Sequence, residues 1–201
     1  MDKLPFNWFD LVVVAALIFG GFHGRKRGMS QELMPMLKWI FIVIGCAFAY
    51  KPIADFIAST WFSRLFSSYA AFLLVALIIS ILFSLVNKSI GGKIVGSDVF
   101  GKGEYYLGIF AGIVHFACIL IFAMALLNAR LFTAKEIEDR RIYVQKNLDN
   151  DFFPALYQIQ DAVFKESISG PPVRDNLSFL LIKPVVAENK ELKRNEFNLP
   201  M

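Results

Sequence analysis

Long apolar segments constrain the fold of this chain more than any other feature of its sequence. The first two form a hairpin, in which residues 9–22 lead into a basic turn at 24–28 and residues 34–50 lead back. A helix of about 17–25 mostly apolar residues spans the hydrocarbon core of a bilayer. Two further segments follow, so the sequence predicts four spans, at about 7–22, 34–50, 69–86 and 105–127.

The composition supports a membrane protein. Hydrophobic residues make up 56% of the 201 residues and charged residues 19%, whereas a soluble domain carries about 25% charged residues. The 21 phenylalanines and the mean hydropathy of +0.53 suit a lipid-facing surface. We predict an all-α polytopic protein with a four-helix membrane domain over 1–128, an amphipathic helical tail outside the bilayer over 129–184 and a disordered end over 185–201.

Charge and cysteine content argue against several other classes. The net charge of +4 comes from basic residues beside the apolar segments, where they set topology and contact lipid head groups, so no nucleic acid is expected. Cys46 and Cys118 lie inside apolar segments, where a thiol packs as a small hydrophobe, and no metal or other cofactor is expected. Because no small-residue cleavage site precedes the basic turn, the first span is expected to remain in the chain.

The returning limb of the hairpin has two interpretations. In the first it spans, with Ser30 as its helix cap, Glu32 favourable in its first turn, and Lys38 extending towards the head groups. In the second, a shallow helix over 30–38 precedes a short or re-entrant segment.

Amphipathic helices are predicted outside the spans. Lys51-Pro52 is expected to end the second apolar segment, and the periodicity of 52–68 then predicts a helix that lies in the membrane interface. In the tail, apolar residues at helical spacing predict two more helices, at about 134–149 and 151–168.

Polar and small residues inside the spans are the candidate intramembrane sites. Asp10 either caps the first helix at head-group depth or makes a buried structural or proton-coupled contact, with a basic residue of another helix as the expected partner. His115 in the fourth span is expected to hydrogen-bond a neighbouring helix. Gly108, Ala111 and Gly112 form a small-residue face that packs within the bundle or against a second copy of the chain.

The distribution of lysine and arginine favours one orientation. More of them lie on the side of the first and third loops (Arg25, Lys26, Arg27, Lys38, Lys88, Lys93, Lys102) than on the other side before the tail (Lys3, Lys51, Arg64, Arg130). Because basic residues are enriched in cytoplasmic loops, the basic turn is predicted to be cytoplasmic and both termini periplasmic.

The first fifty residues resemble a known family. The motifs at 7–11 (Asn-Trp-Phe-Asp-Leu), 24–28 (Gly-Arg-Lys-Arg-Gly), 31–33 (Gln-Glu-Leu) and 38–40 (Lys-Trp-Ile) resemble the opening of the colicin V production protein (CvpA) family. The resemblance implies a bacterial inner-membrane protein with four spans, associated with production and export of the toxin colicin V. It is good over 7–40 and looser to about Asn128, and it does not cover the tail.

The fourth span departs from the family pattern, which reads Asp-Arg-x-x-Gly, then Phe-Gly and Arg-Gly. This chain has Glu104-Tyr105-Tyr106-Leu107-Gly108, then Ala111-Gly112 and His115-Phe116. Gly108 and Gly112 match the first two glycines of the pattern, and both arginines are absent.

The sequence favours an accessory membrane protein that binds partner proteins or lipids and supports toxin export or envelope upkeep. Its candidate contact surfaces are Arg25, Lys26 and Arg27 and the tail helices. The alternative is a subunit of a small oligomeric transporter or channel that uses Asp10. No enzyme is predicted, because HExxH, GxSxG and paired intramembrane acids are all missing from the sequence.

Overall fold

A computed structural model describes residues 6–60, 62–91, 100–147 and 155–186 of the chain. Four long helices form a bundle: α1 (Trp8–Arg27), α2 (Met29–Thr60), α3 (Arg64–Val86) and α4 (Glu104–Asn128). Each is long and apolar enough to cross a membrane. The predicted all-α class with four spanning helices is therefore confirmed.

The hairpin is tighter than predicted. Residues 24–27 are the last turn of α1 rather than a loop, and Gly28 alone separates α1 from α2. Gly28 has a φ of 77°, a backbone conformation that favours glycine, and its N–H donates to the carbonyl oxygen of Gly24. The basic residues of the turn thus project from a rigid helix end.

The second helix is longer than predicted. It is continuous over 32 residues and contains both Pro35 and Pro52, so the prediction that Lys51-Pro52 ends it was wrong, and the shallow helix followed by a re-entrant segment does not form. A proline inside a helix removes one backbone hydrogen bond. At Pro52 the helix continues nevertheless, and the side chains of Tyr50 and Ala54, on either side of the proline, are both buried.

The separate interfacial helix predicted over 52–68 is also wrong. Its first half belongs to α2, and its second half belongs to α3, which begins at Arg64 rather than near residue 69. Ser63 caps α3 by accepting a hydrogen bond from the N–H of Phe66. At about 1.5 Å per residue, α2 would be about 48 Å long, well beyond the roughly 30 Å of a hydrocarbon core.

The helices pack in a fixed order, with α1 against α4 and α2 against both α3 and α4. The core combines small side chains with a few large ones such as Phe72, whereas many other large apolar side chains, such as Phe22, Phe48 and Phe110, are exposed on the outside. An apolar outer surface is expected where lipid, rather than water, surrounds a bundle.

The described residues of the tail contain three further α-helices: α5 (Ala134–Asn147), α6 (Leu156–Phe164) and α7 (Gly170–Asn176). A short parallel pair joins β1 (Arg130–Leu131) to β2 (Val185–Val186), with Arg130 opposite Val185. The disordered end predicted from residue 185 therefore does not include β2, and residues 187–201 lie outside the described residues.

The segment 155–186 packs on the bundle rather than standing apart from it. Val163, Leu181 and Ile182 are buried in the same apolar cluster as the spanning helices. The side chain of Asn128 donates to the carbonyl oxygen of Ile182, and the N–H of Lys183 donates to the hydroxyl of Tyr50. We call the end of the bundle that this segment covers the tail end, and we call the opposite end, at Gly28, the turn end.

Candidate functional site

At the turn end, α1 and α4 come into backbone contact through five glycines: Gly20, Gly24, Gly28, Gly108 and Gly112. A Cβ atom added at Gly24 would overlap the carbonyl oxygen of Gly108, and one added at Gly112 would overlap that of Gly20. The small-residue face of α4, including the fully buried Ala111, therefore packs inside this chain against α1. The close approach fixes the polar side chains that surround it.

Glu104, at the start of α4, binds the beginning of α2. Its two carboxylate oxygens accept hydrogen bonds from the backbone N–H of Ser30 at 2.8 Å and from the Ser30 hydroxyl at 3.0 Å. A helix start leaves backbone N–H groups unpaired, and here a carboxylate from another helix satisfies one. Ser30 was expected to cap α2 itself, but it is a donor to Glu104 instead.

Glu32 is the most deeply buried charged side chain of the turn end. Its Oε1 lies 2.5 Å from Nδ1 of His115, and its Oε2 lies 3.6 Å from the guanidinium of Arg27 and 4.0 Å from Nε2 of His23. The side chain is fully buried, and Oε2 has no hydrogen-bond partner among the described residues. Three helices thus meet at one carboxylate.

This cluster is shielded by aromatic rings. The ring of Trp39 lies 6.2 Å from that of His115, and the ring of Phe116 lies 5.4 Å from it. A carboxylate in such a low-dielectric setting needs a hydrogen-bonded or charged partner, which His115 supplies. The expected contact of His115 with a neighbouring helix is therefore present, and its partner is Glu32.

Sequence reasoning missed Glu32, which it treated only as a favourable charge near a helix start. A signal was available in the spacing of α2. The inward-facing positions of that helix recur at steps of four and three residues, and Glu32 is the first of them: Glu32, Met36, Trp39, Val43, Cys46 and Tyr50. A glutamate at the head of a buried stripe needs a partner inside the bundle.

Asp10 lies at the opposite end of the bundle and is also buried. It forms a capping box with Asn7, and it accepts hydrogen bonds from the backbone N–H groups of Ile168 and Ser169 and from the Ser169 hydroxyl. Within the described residues no cation pairs with it, so the expected basic partner was wrong. Asp10 caps α1 and binds the tail at the same time.

The three cations of the basic turn are not equivalent. Arg27 faces the buried Glu32, whereas Arg25 and Lys26 are exposed and have no ion-pair partner in the described part of the chain. Arg25 and Lys26 also line an open groove between α1 and α4. In the ranges that the structure describes, no cluster of His, Cys, Asp and Glu side chains is arranged to hold a metal ion.

Four helices of spanning length, three of which meet at a polar cluster, define a multi-pass membrane protein of the all-α class. The model of the family described as colicin V production protein matches residues 9–147, and the chain belongs to that family. The match extends beyond Asn128, where the resemblance was expected to end, and includes α5. A search of curated proteins and a search of solved structures found no match.

Proposed function

We propose that this protein is a non-catalytic accessory protein of the bacterial inner membrane, which supports toxin export or envelope upkeep by binding partner proteins or lipids at its turn end. One observation carries the proposal. Arg25 and Lys26 are exposed without ion-pair partners among the described residues, while the nearby acids Glu32 and Glu104 face into the bundle. The turn end therefore presents uncompensated positive charge on a rigid helix end.

The proposed orientation places the turn end in the cytoplasm and both termini in the periplasm. Lysine and arginine are enriched on the cytoplasmic side of spanning helices, and the three adjacent cations of the turn support this orientation. The tail would then close the periplasmic end of the bundle.

The surroundings of Asp10 favour this accessory role over a transport role. An intramembrane acid that carries ions or protons usually faces a cavity or a pathway, whereas Asp10 is occupied by the N–H groups of Ile168 and Ser169. A transporter that uses Asp10 would have to break these bonds in each cycle. Under that alternative, Asp10→Asn would abolish solute or ion flux in reconstituted vesicles.

Site-specific photocrosslinking in native membranes tests the proposal. A photoreactive amino acid is placed at Lys26, and at Phe48, an exposed residue of α2, as the control for general contact with membrane components. We expect products from position 26 that position 48 does not give, and we expect them to weaken when Arg25 is also changed to Gln. Identical products from both positions would contradict the proposal.

A complementation assay connects binding to function. In a deletion strain, the double variant Arg25→Gln/Lys26→Gln should restore toxin export or envelope resistance less well than the wild-type chain, at equal protein level. Lys38→Gln/Lys88→Gln removes the same charge from the same side of the bundle and should complement fully. Equal complementation by both double variants would show that the basic turn is a solvated helix end without a role in this function.

A further inference from the structure

We propose that the groove between α1 and α4 at the turn end is a binding site for the phosphate head group of an anionic phospholipid. The proposal rests on the proposed function and deepens it, because it names the chemistry of one ligand of the basic turn. The groove has a volume of about 710 Å³ and is lined by Phe22, Arg25, Lys26, Tyr105, Tyr106 and Ile109.

The charges around the groove favour an anion. Arg25 and Lys26 supply two cations, and none of the described lining residues is acidic. Glu104 directly precedes Tyr105, yet its carboxylate is turned towards Ser30 and accepts two hydrogen bonds there. Glu32, the other nearby acid, is fully buried. The positive potential of the groove is therefore not neutralised from within the described chain.

The polar atoms of the groove suit a phosphate. A guanidinium can donate two parallel hydrogen bonds to phosphate oxygens, and an ammonium group adds a mobile donor. Tyr105 and Tyr106 bring two phenolic hydroxyls, which can donate to phosphate or glycerol oxygens. These groups lie in the last turn of α1 and the first turn of α4, which is head-group depth for helices that span.

The apolar walls distinguish a lipid from a soluble anion. Phe22 and Tyr106 are 68% and 78% exposed, and both line the groove together with the two cations. The exposed side chains of Ile18 and Phe110 lie on the same faces of α1 and α4, one helical turn further from the turn end. A phospholipid bound by its phosphate could lay an acyl chain along this surface, whereas a free phosphate would leave it uncovered.

Native mass spectrometry of the purified full chain in detergent tests the proposal. The protein is titrated with phosphatidylglycerol, with zwitterionic phosphatidylcholine, and with phosphatidylglycerol in the presence of excess inorganic phosphate. We expect one phosphatidylglycerol to bind with at least about tenfold preference over phosphatidylcholine. We also expect inorganic phosphate to compete poorly, because it cannot use the apolar walls.

Variants of the groove separate the site from general electrostatic attraction. Arg25→Gln/Lys26→Gln should weaken phosphatidylglycerol binding about 30-fold, since each basic residue near a charged lipid surface contributes about 1 kcal/mol and about 1.4 kcal/mol is a factor of ten. Tyr105→Phe/Tyr106→Phe keeps the rings and should weaken binding by a smaller factor. Lys38→Gln/Lys88→Gln removes two cations elsewhere on the same side and should bind as the wild type does.

Three results would overturn the proposal: equal binding of both lipids, full competition by inorganic phosphate, or equal weakening by the two double charge variants. An unchanged melting temperature of Arg25→Gln/Lys26→Gln is the folding control. Failure of the lipid site is distinguishable from failure of the proposed function. If position 26 still crosslinks a specific protein while lipid preference is absent, the turn end binds protein partners only.

Discussion

The two ends of the bundle each hold a buried carboxylate, and they satisfy it in different ways. At the tail end, Asp10 accepts hydrogen bonds from the backbone N–H groups of Ile168 and Ser169 and from a serine hydroxyl. At the turn end, Glu32 faces ionisable side chains only, and its Oε2 has no hydrogen-bond partner among the described residues. Those side chains are His23, Arg27 and His115.

The difference separates a structural end from an adaptable one. Two of the donors to Asp10 are backbone N–H groups, so Asp10 links the main chain of the tail to α1. The partners of Glu32 are side chains, which can turn away from the carboxylate by a change of rotamer while the backbone keeps its fold. The tail end is also closed by the chain itself, whereas the turn end exposes Arg25 and Lys26.

The largest expected effect comes from the glycine contact that assembles the turn end. Gly24→Ala should destabilise the protein by more than about 3 kcal/mol, because its Cβ would overlap the carbonyl oxygen of Gly108 and separate α1 from α4. Gly103→Ala is the matched control, since a Cβ there meets Leu107 at an ordinary 3.6 Å. Denaturant unfolding in detergent measures both, and equal stability would show that the backbones are not in contact.

Loss of the partner of Glu32 should have the next largest effect. His115→Phe should destabilise by about 3 kcal/mol, because it leaves a fully buried carboxylate without its hydrogen-bonded partner. Glu32→Gln removes the charge, so the double variant should recover part of this loss. A double-mutant cycle measures the coupling, and strictly additive effects would mean that the two side chains do not interact.

At the tail end, Asp10→Ala should cost about 2–3 kcal/mol, since several partly buried donors lose a charged acceptor together. Asp10→Asn keeps one carbonyl acceptor and should cost less. Limited proteolysis should then cut within 155–186 faster in the alanine variant, while the turn end keeps its crosslinking pattern. Unchanged cleavage would show that Asp10 does not hold the tail.

The smallest expected effect is that of Arg27→Gln. Arg27 is 46% exposed and its guanidinium lies 3.6 Å from Glu32, so its loss should cost about 1 kcal/mol or less. It should also leave lipid preference unchanged, unlike the loss of Arg25 and Lys26. Thermal unfolding checks the first expectation and native mass spectrometry the second. A loss of lipid preference as large as that of Arg25→Gln/Lys26→Gln would place Arg27 in the groove.

Much of the membrane domain was predictable because hydrophobic length and small-residue spacing are local properties. The four spans and the packing face at Gly108 and Gly112 can each be inferred from a short stretch of sequence, whereas the shortening of the turn to Gly28 alone was not predicted. The continuity of α2 through Pro52 could not be inferred in this way, because the packing of Tyr50 and Ala54 overrides the local tendency of proline to end a helix.

The polar partners were not predictable from spacing. Glu32 and His115 are 83 positions apart, and Asp10 and Ile168 are 158 positions apart. Such pairs are set by which helices become neighbours, and no local pattern encodes that. The family pattern has an arginine where this chain has His115, and the structure shows that His115 contacts the carboxylate of Glu32.

Hydrogen–deuterium exchange at residues 165–169 tests most directly whether the chain closes its own tail end through Asp10. This segment lies between α6 and α7 and would exchange quickly if it were free. In the wild-type protein in lipid nanodiscs, we expect the amides of Ile168 and Ser169 to exchange at least about tenfold more slowly than in Asp10→Ala. Fast exchange in the wild type, at the rate of the variant, would contradict the difference between the two ends.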